Sequence, residues 1–290
     1  MGAVRAGAAE GALADATYKA DGPLLYVNNS TATYNDVRVY HARVNDPSPL
    51  ATISDGVENP SGACTDGQGT LYVTNEPSNG PGWISEYPLG KTTPSKIIKN
   101  GINTPAFCAI DAKGNLWVSN IGLDDVAEYS KGTTKPHTVL TEGLTYPDGI
   151  AIDRSGNLYV GNLQPSGTSN VQVYRPGKRS PSRTITNGVT YPVGLAVDSN
   201  GTLYVANTNY TQNNIAEYHS GQGKPFQTIT KAMEGPVGVT VDKKGVLYVT
   251  NTGDHTVLEF PLGSLNPSKR RISKGLWDPA GVACYPALLP

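Results

Sequence analysis

Histidine is the side chain best suited to hold a transition metal or move a proton near neutral pH, and this chain has four: His41, His137, His219 and His255. A zinc centre needs three or four ligands converging on one point. His41 and His219 each follow a strand-ending Tyr, His137 opens a short apolar run and His255 stands in a polar loop. They fall in different structural units, and no zinc site is expected. Carboxylates come next. Asp66, Asp111, Asp153, Asp198 and Asp242 each open an Asp-x-x-Gly segment. Each reads as the cap of its own tight turn, with Gly taking the positive φ, and not as half of a catalytic pair. Glu86, Glu128, Glu217 and Glu259 lie within strands and are expected to face polar or basic groups of the outer strand such as Lys96 and Lys269. A hard cation prefers several oxygen ligands. The nearest match is the set Asn75, Asn120, Asn162, Asn207 and Asn251 with Asp148, to which loop carboxylates such as Glu58, Glu142, Glu234 and Asp278 could add ligands. Asn at one place in every unit is better explained as a strand-end cap, because an ion site would break a repeat and this set obeys it. No Gly-x-Ser-x-Gly elbow, Cys–His pair or phosphate loop occurs, so no catalytic residue is assigned.

The elements that carry these residues repeat. A Leu-Tyr-Val run followed by Asn appears as Leu25-Tyr26-Val27-Asn28, Leu71 to Asn75, Leu116 to Asn120, Leu158 to Asn162, Leu203 to Asn207 and Leu247 to Asn251. The first copy is one residue short, which leaves Asn29 as an alternative equivalent. Successive Asn from Asn75 to Asn251 lie 45, 42, 45 and 44 residues apart, so each repeat is one structural unit with length changes confined to loops. Every unit resolves into four short β segments bounded by Gly, Pro or Asn. The first reads Pro-x-Gly-x-Ala-x-Asp, as in Pro147 to Asp153, and its small residues suit a crowded inner strand. The third ends in Tyr or Phe, from Tyr40 to Phe260, and the fourth resembles Arg183 to Thr186. The amino end enters at a second strand and the carboxyl end stops after an inner one, Pro279 to Cys284. The final strand is therefore expected to complete the first blade and remove an exposed sheet edge. The fold class is all-β: a six-bladed β-propeller of four-stranded blades over residues 21–290, preceded by a flexible leader over residues 1–20.

These motifs resemble NHL-type propeller repeats over residues 24–285, and also the related six-bladed group of gluconolactonase-like and lyase-like enzymes. The second-strand Asn departs from the Asp usual in NHL units. The resemblance implies the fold and says little of activity; its enzymatic branch implies a divalent ion such as Ca²⁺ in the channel. Three cysteines, Cys64, Cys108 and Cys284, lie on inner strands. Strand parity turns Cys64 toward either Cys108 or Cys284, one on each side of it, and three buried thiols satisfy the same positions. Relatives with Cys in both early inner strands imply the pairing Cys64–Cys108. A disulfide would imply an oxidising compartment.

Function follows from the loops. The first-to-second turns are near-uniform and read as scaffold, whereas the second-to-third loops vary, and variable loops on a rigid frame carry binding. The fourth-to-first loops share that face and bring Tyr146, Tyr191 and Trp277; Tyr210 lies in a second-to-third loop. Asp148 is the one charge at the second inner-strand position, near the channel mouth, where other blades carry Ser61, Ala106, Val193, Val237 and Ala280. Tyr146, Asp148, Tyr191, Tyr210 and Trp277 form the candidate ligand site; the alternative, favoured because pockets are few per protein, is that the aromatics pack blade on blade. The expected function is a non-enzymatic, extracytoplasmic recognition propeller binding a small polar ligand, a glycan or a protein. The alternatives are a metal-dependent lactonase or lyase centred on Asp148, and a structural spacer or interaction scaffold. Lys and Arg number 23 against 24 Asp and Glu, with no basic run, so nucleic acid is not an expected partner. No apolar stretch approaches the ~20 residues of a membrane span. A secreted or cell-envelope monomer with no bound cofactor is expected.

Overall fold

In the computed structural model, residues 17–31, 33–164, 168–209 and 212–287 are described. Six four-stranded antiparallel sheets surround one axis. Blades 2 to 6 open with the inner strands Pro60–Thr65, Pro105–Ile110, Pro147–Ile152, Pro192–Val197 and Pro236–Val241. Blade 1 takes its inner strand from the other end of the chain: Pro279–Tyr285 pairs with Leu24–Ser30, with Leu25 opposite Cys284 and Val27 opposite Val282. The ring closes as the strand inventory requires. Of the leader expected over residues 1–20, residues 1–16 lie outside the described residues. Thr17 bridges Lys91, and the Tyr18 hydroxyl meets that of Tyr26 at 2.9 Å.

The inner strands are kinked at one place. Pro147 faces Asn162 and Ile150 faces Val160, so the Pro-x-Gly segment bulges, and the same shift recurs in each blade. The bulge brings glycine against the neighbouring blade. A Cβ on Gly149 would stand 2.7 Å from the Val193 carbonyl, and one on Gly62 would stand 2.6 Å from that of Ala106. That contact is why these two positions need glycine.

The hydrophobic core lies between blades. One cluster joins Tyr72, Ile84 and Ile98 of blade 2 to Ile110, Val118 and Tyr129 of blade 3, and the other seams repeat the pattern. The third-strand Tyr supplies the polar counterpart. Its hydroxyl donates to a carbonyl of the preceding blade's fourth-to-first loop: Tyr87 to Asp55 at 2.6 Å, Tyr129 to Asn100 at 2.7 Å, Tyr174 to Glu142, Tyr218 to Asn187 and Tyr40 to Lys274. Phe260 of blade 6 carries no hydroxyl, so its seam lacks this bond, although the Thr208 hydroxyl of blade 5 donates to the Pro236 carbonyl of blade 6. Two short 3-10 turns, Ile121–Leu123 and Thr252–Asp254, were not foreseen; both sit in second-to-third loops.

Candidate functional site

The repeated polar residues are structural. Asn75, Asn120, Asn162, Asn207 and Asn251 are fully buried. Each side-chain oxygen accepts an amide of the incoming fourth-to-first loop, such as Glu58 N–H to Asn75 at 2.9 Å and Thr190 N–H to Asn207 at 2.9 Å. Each amide nitrogen donates to nearby acceptors, as Asn251 does to the Ala232 carbonyl. In blade 1 this work falls to Asn29, which takes the Trp277 amide at 3.0 Å, so Asn29 and not Asn28 is the sixth member. With their donors and acceptors committed, these residues are caps and not ion ligands. The turn aspartates behave alike: Asp153 Oδ1 accepts the amides of Ser155 and Asn157, and its Oδ2 accepts the Tyr159 hydroxyl. Glu86 pairs with Lys96 as expected. Glu259 pairs with Arg270 in place of Lys269, because Arg270 and not its neighbour turns toward the third strand. Glu128 takes His137 at 3.2 Å and Glu217 takes Gln227.

Phe107 occupies the place where the other blades carry glycine, and Val237 of blade 6 packs against the cluster that holds Phe107. Blade 6 stands opposite blade 3 in the ring, so this apolar contact crosses the axis. Toward the turn face, small side chains such as Ala109, Ala151 and Thr240 line a cavity of about 110 Å³ with no charged group in its wall. Cys64 and Cys108 reach this wall joined as a disulfide between blades 2 and 3. Cys284 also lines it, and its thiol donates to the Val241 carbonyl at 3.5 Å.

Asp148 sits at the second inner-strand position of blade 4 and is only 9 % exposed. Its backbone carbonyl accepts the Ser119 hydroxyl, which ties blade 3 to blade 4. Burial, reinforced by the negative charge of Glu76, pushes its carboxyl up to about 8, so it is protonated at neutral pH. Glu76, half-buried, is likewise raised by desolvation. Neither Glu76 nor Phe107 was singled out from the sequence. The signal was there: Glu76 is the one charge directly after a ring Asn, and Phe107 breaks the Pro-x-Gly pattern.

The aromatics divide into two groups. Tyr146 and Tyr191, 41 % and 42 % exposed, precede the inner strands of blades 4 and 5. Trp277, 49 % exposed, enters blade 1 on the far side of the ring from Tyr146. There it stacks on Tyr34 with centroids 5.6 Å apart and lies tilted against His255, whose Nδ1 accepts the Asp278 amide. A single aromatic platform around Asp148 is therefore not formed; the exposed rings rim the face in two places. Tyr210 lies outside the described residues. Among the described residues, no three His, Cys, Asp or Glu side chains gather as metal ligands, and no helix is long and apolar enough to cross a membrane.

An NHL repeat model matches residues 234–260, the last third strand with the inner and second strands before it. No curated protein matches the chain. Among solved structures, a chain of the nidogen/laminin complex superimposes with a TM-score of 0.76 at 17 % identity, covering 91 % of this chain and 98 % of that one. Hydrazine synthase of Kuenenia stuttgartiensis gives 0.60 at 16 % identity, over 79 % and 71 % of the two chains. A streptogramin B lyase gives 0.54 at 15 %, over 83 % and 74 %. At such identities the likeness carries the fold alone, and the three proteins differ in what they do. The chain is a six-bladed β-propeller with an NHL repeat.

Proposed function

We propose that this protein is an extracytoplasmic recognition propeller that engages a protein or glycan partner with its variable-loop face. The observation that carries the reading is the exposure of Tyr146, Tyr191 and Trp277 on irregular loops, above blades whose repeated polar groups are consumed by capping. Large half-exposed rings on rigid strands supply contact area at low entropic cost. Asp148, behind that rim, serves as a buried neutral support and not as a ligand contact. The nidogen/laminin complex offers a precedent for a chain of this shape engaged in a protein complex. The Cys64–Cys108 disulfide agrees with an oxidising compartment.

The test is a screen of the labelled protein on arrays of glycans and extracellular-matrix proteins, followed by the variant Y146A/Y191A/W277A on the strongest hit. Loss of binding with an unchanged thermal midpoint is expected. Unaltered affinity in a folded variant would refute the assignment. A second reading, as a lactonase or lyase, has one observation in its favour: a carboxyl held protonated at neutral pH by burial and by the charge of a second acid is the state a general acid requires. Turnover on a lactone panel that disappears in D148N would establish it.

A further inference from the structure

The formal charge of −1 conceals a division between the two faces. The loops joining first to second and third to fourth strands hold fourteen Lys and Arg against six Asp. The loops on the opposite face hold three Lys against eight Asp and Glu. Five of the six Asp on the basic face are turn caps, and Asp66, Asp153, Asp198 and Asp242 among them are buried. What solvent meets there is almost wholly cationic.

On this basic face the seam between blades 3 and 4 opens into a cleft of about 570 Å³, a volume typical of ligand pockets. Lys113 and Arg154 come from the first-to-second turns of the two blades, and Arg175, Lys178 and Arg179 from the third-to-fourth loop of blade 4. All five are exposed, and among the described residues none takes part in an ion pair. The two acids of the wall are already engaged. Asp111 accepts the amides of Lys113 and Asn115, the Asn115 side chain and the Trp117 indole N–H, while Glu128 faces His137. Trp117 is half-buried in the wall, where the equivalent residue of every other blade is Tyr.

We propose that this cleft binds a sugar-sized ligand bearing phosphate or sulfate groups. Two or more oxyanions satisfy the clustered guanidinium and ammonium groups, which recognise them through charge-assisted hydrogen bonds. The indole gives a ring surface for the apolar face of a sugar. The site lies on the face opposite Tyr146, Tyr191 and Trp277, so it stands or falls independently of the proposed function.

Titration calorimetry at 0.15 M salt tests it with two probes, a heparin-derived disaccharide for sulfate and inositol hexakisphosphate for phosphate. At least one probe is expected to bind with one-to-one stoichiometry. The cleft variants R154E/R179E and R175E/K178E should each weaken it by at least about tenfold. The variant K243E/K244E, an equal charge reversal on the same face of blade 6, should change it by less than about threefold. Failure of both probes to bind would overturn the proposal. So would an equal loss in K243E/K244E, which would mean diffuse surface attraction and no site.

Discussion

Replacing Asp148 with Asn should make the protein more stable at neutral pH and leave it nearly unchanged in acid. In the unfolded chain this carboxyl titrates near its ordinary value of about 3.9; in the fold, burial and Glu76 raise it to about 8. Between those values the folded state holds one proton more than the unfolded state. The group's full contribution is therefore present below about pH 4 and is lost at about 1.4 kcal/mol per pH unit as pH rises toward 8. At pH 7 the accumulated loss is about 4 kcal/mol. Asn matches the protonated carboxyl in size and neutrality but cannot ionise. Urea midpoints of the wild type and D148N, collected from about pH 3 to about pH 8.5, should start together and diverge in favour of the variant, with unchanged m-values. Titrating groups that do not interact with Asp148 cancel in the difference. E76Q should shrink the divergence by removing the second cause of the shift. Parallel curves for wild type and D148N would show that Asp148 ionises freely in the fold, and the reading of a buried neutral support would be abandoned.

Two further outcomes follow from the seams. The Cys64–Cys108 bond spans 44 residues, and replacing both with Ala should lower stability by about 2–4 kcal/mol, with dithiothreitol producing the same fall in the wild-type melting curve and none in the variant. Tyr87→Phe should cost about 1 kcal/mol in chemical denaturation by stripping the Asp55 carbonyl of its partner; a neutral result would mean water replaces the hydroxyl without loss.

The architecture was legible because it is written six times. Inner-strand Pro-x-Gly, the capped Asp turn and the aromatic second strand each recur at fixed offsets, and the steric and hydrogen-bonding reasons for them are local. Ring closure was legible from strand bookkeeping, since a blade lacking its inner strand at one end matched a spare inner strand at the other. The disulfide was narrower: parity left Cys64 facing two neighbours, and only family resemblance favoured Cys108. The remainder depends on distances across the ring. Val237 meets the cluster holding Phe107 from the opposite blade, and Glu76 acts on Asp148 from two blades away; neither relation leaves a trace in linear spacing. The separation of charge was present in the sequence but invisible to a search for runs, because the Lys and Arg sit in every second loop along the chain and come to one face only after folding. Tyr146 and Trp277 were grouped as one candidate site from their common place in the unit, whereas units 1 and 4 face each other across the ring.

The pairing of Leu24–Ser30 with Pro279–Tyr285 also has a consequence for biosynthesis. The first blade to leave the ribosome is the last that can be finished, because its innermost strand is translated some 250 residues later. Until then Leu25, Tyr26 and Val27, all fully buried in the finished ring, border an open strand edge. Blades 2 to 6 each receive four consecutive strands and can assemble in order of synthesis. The nascent chain thus carries one sticky edge throughout its production, and the final strand converts an open array into a ring in a single late step.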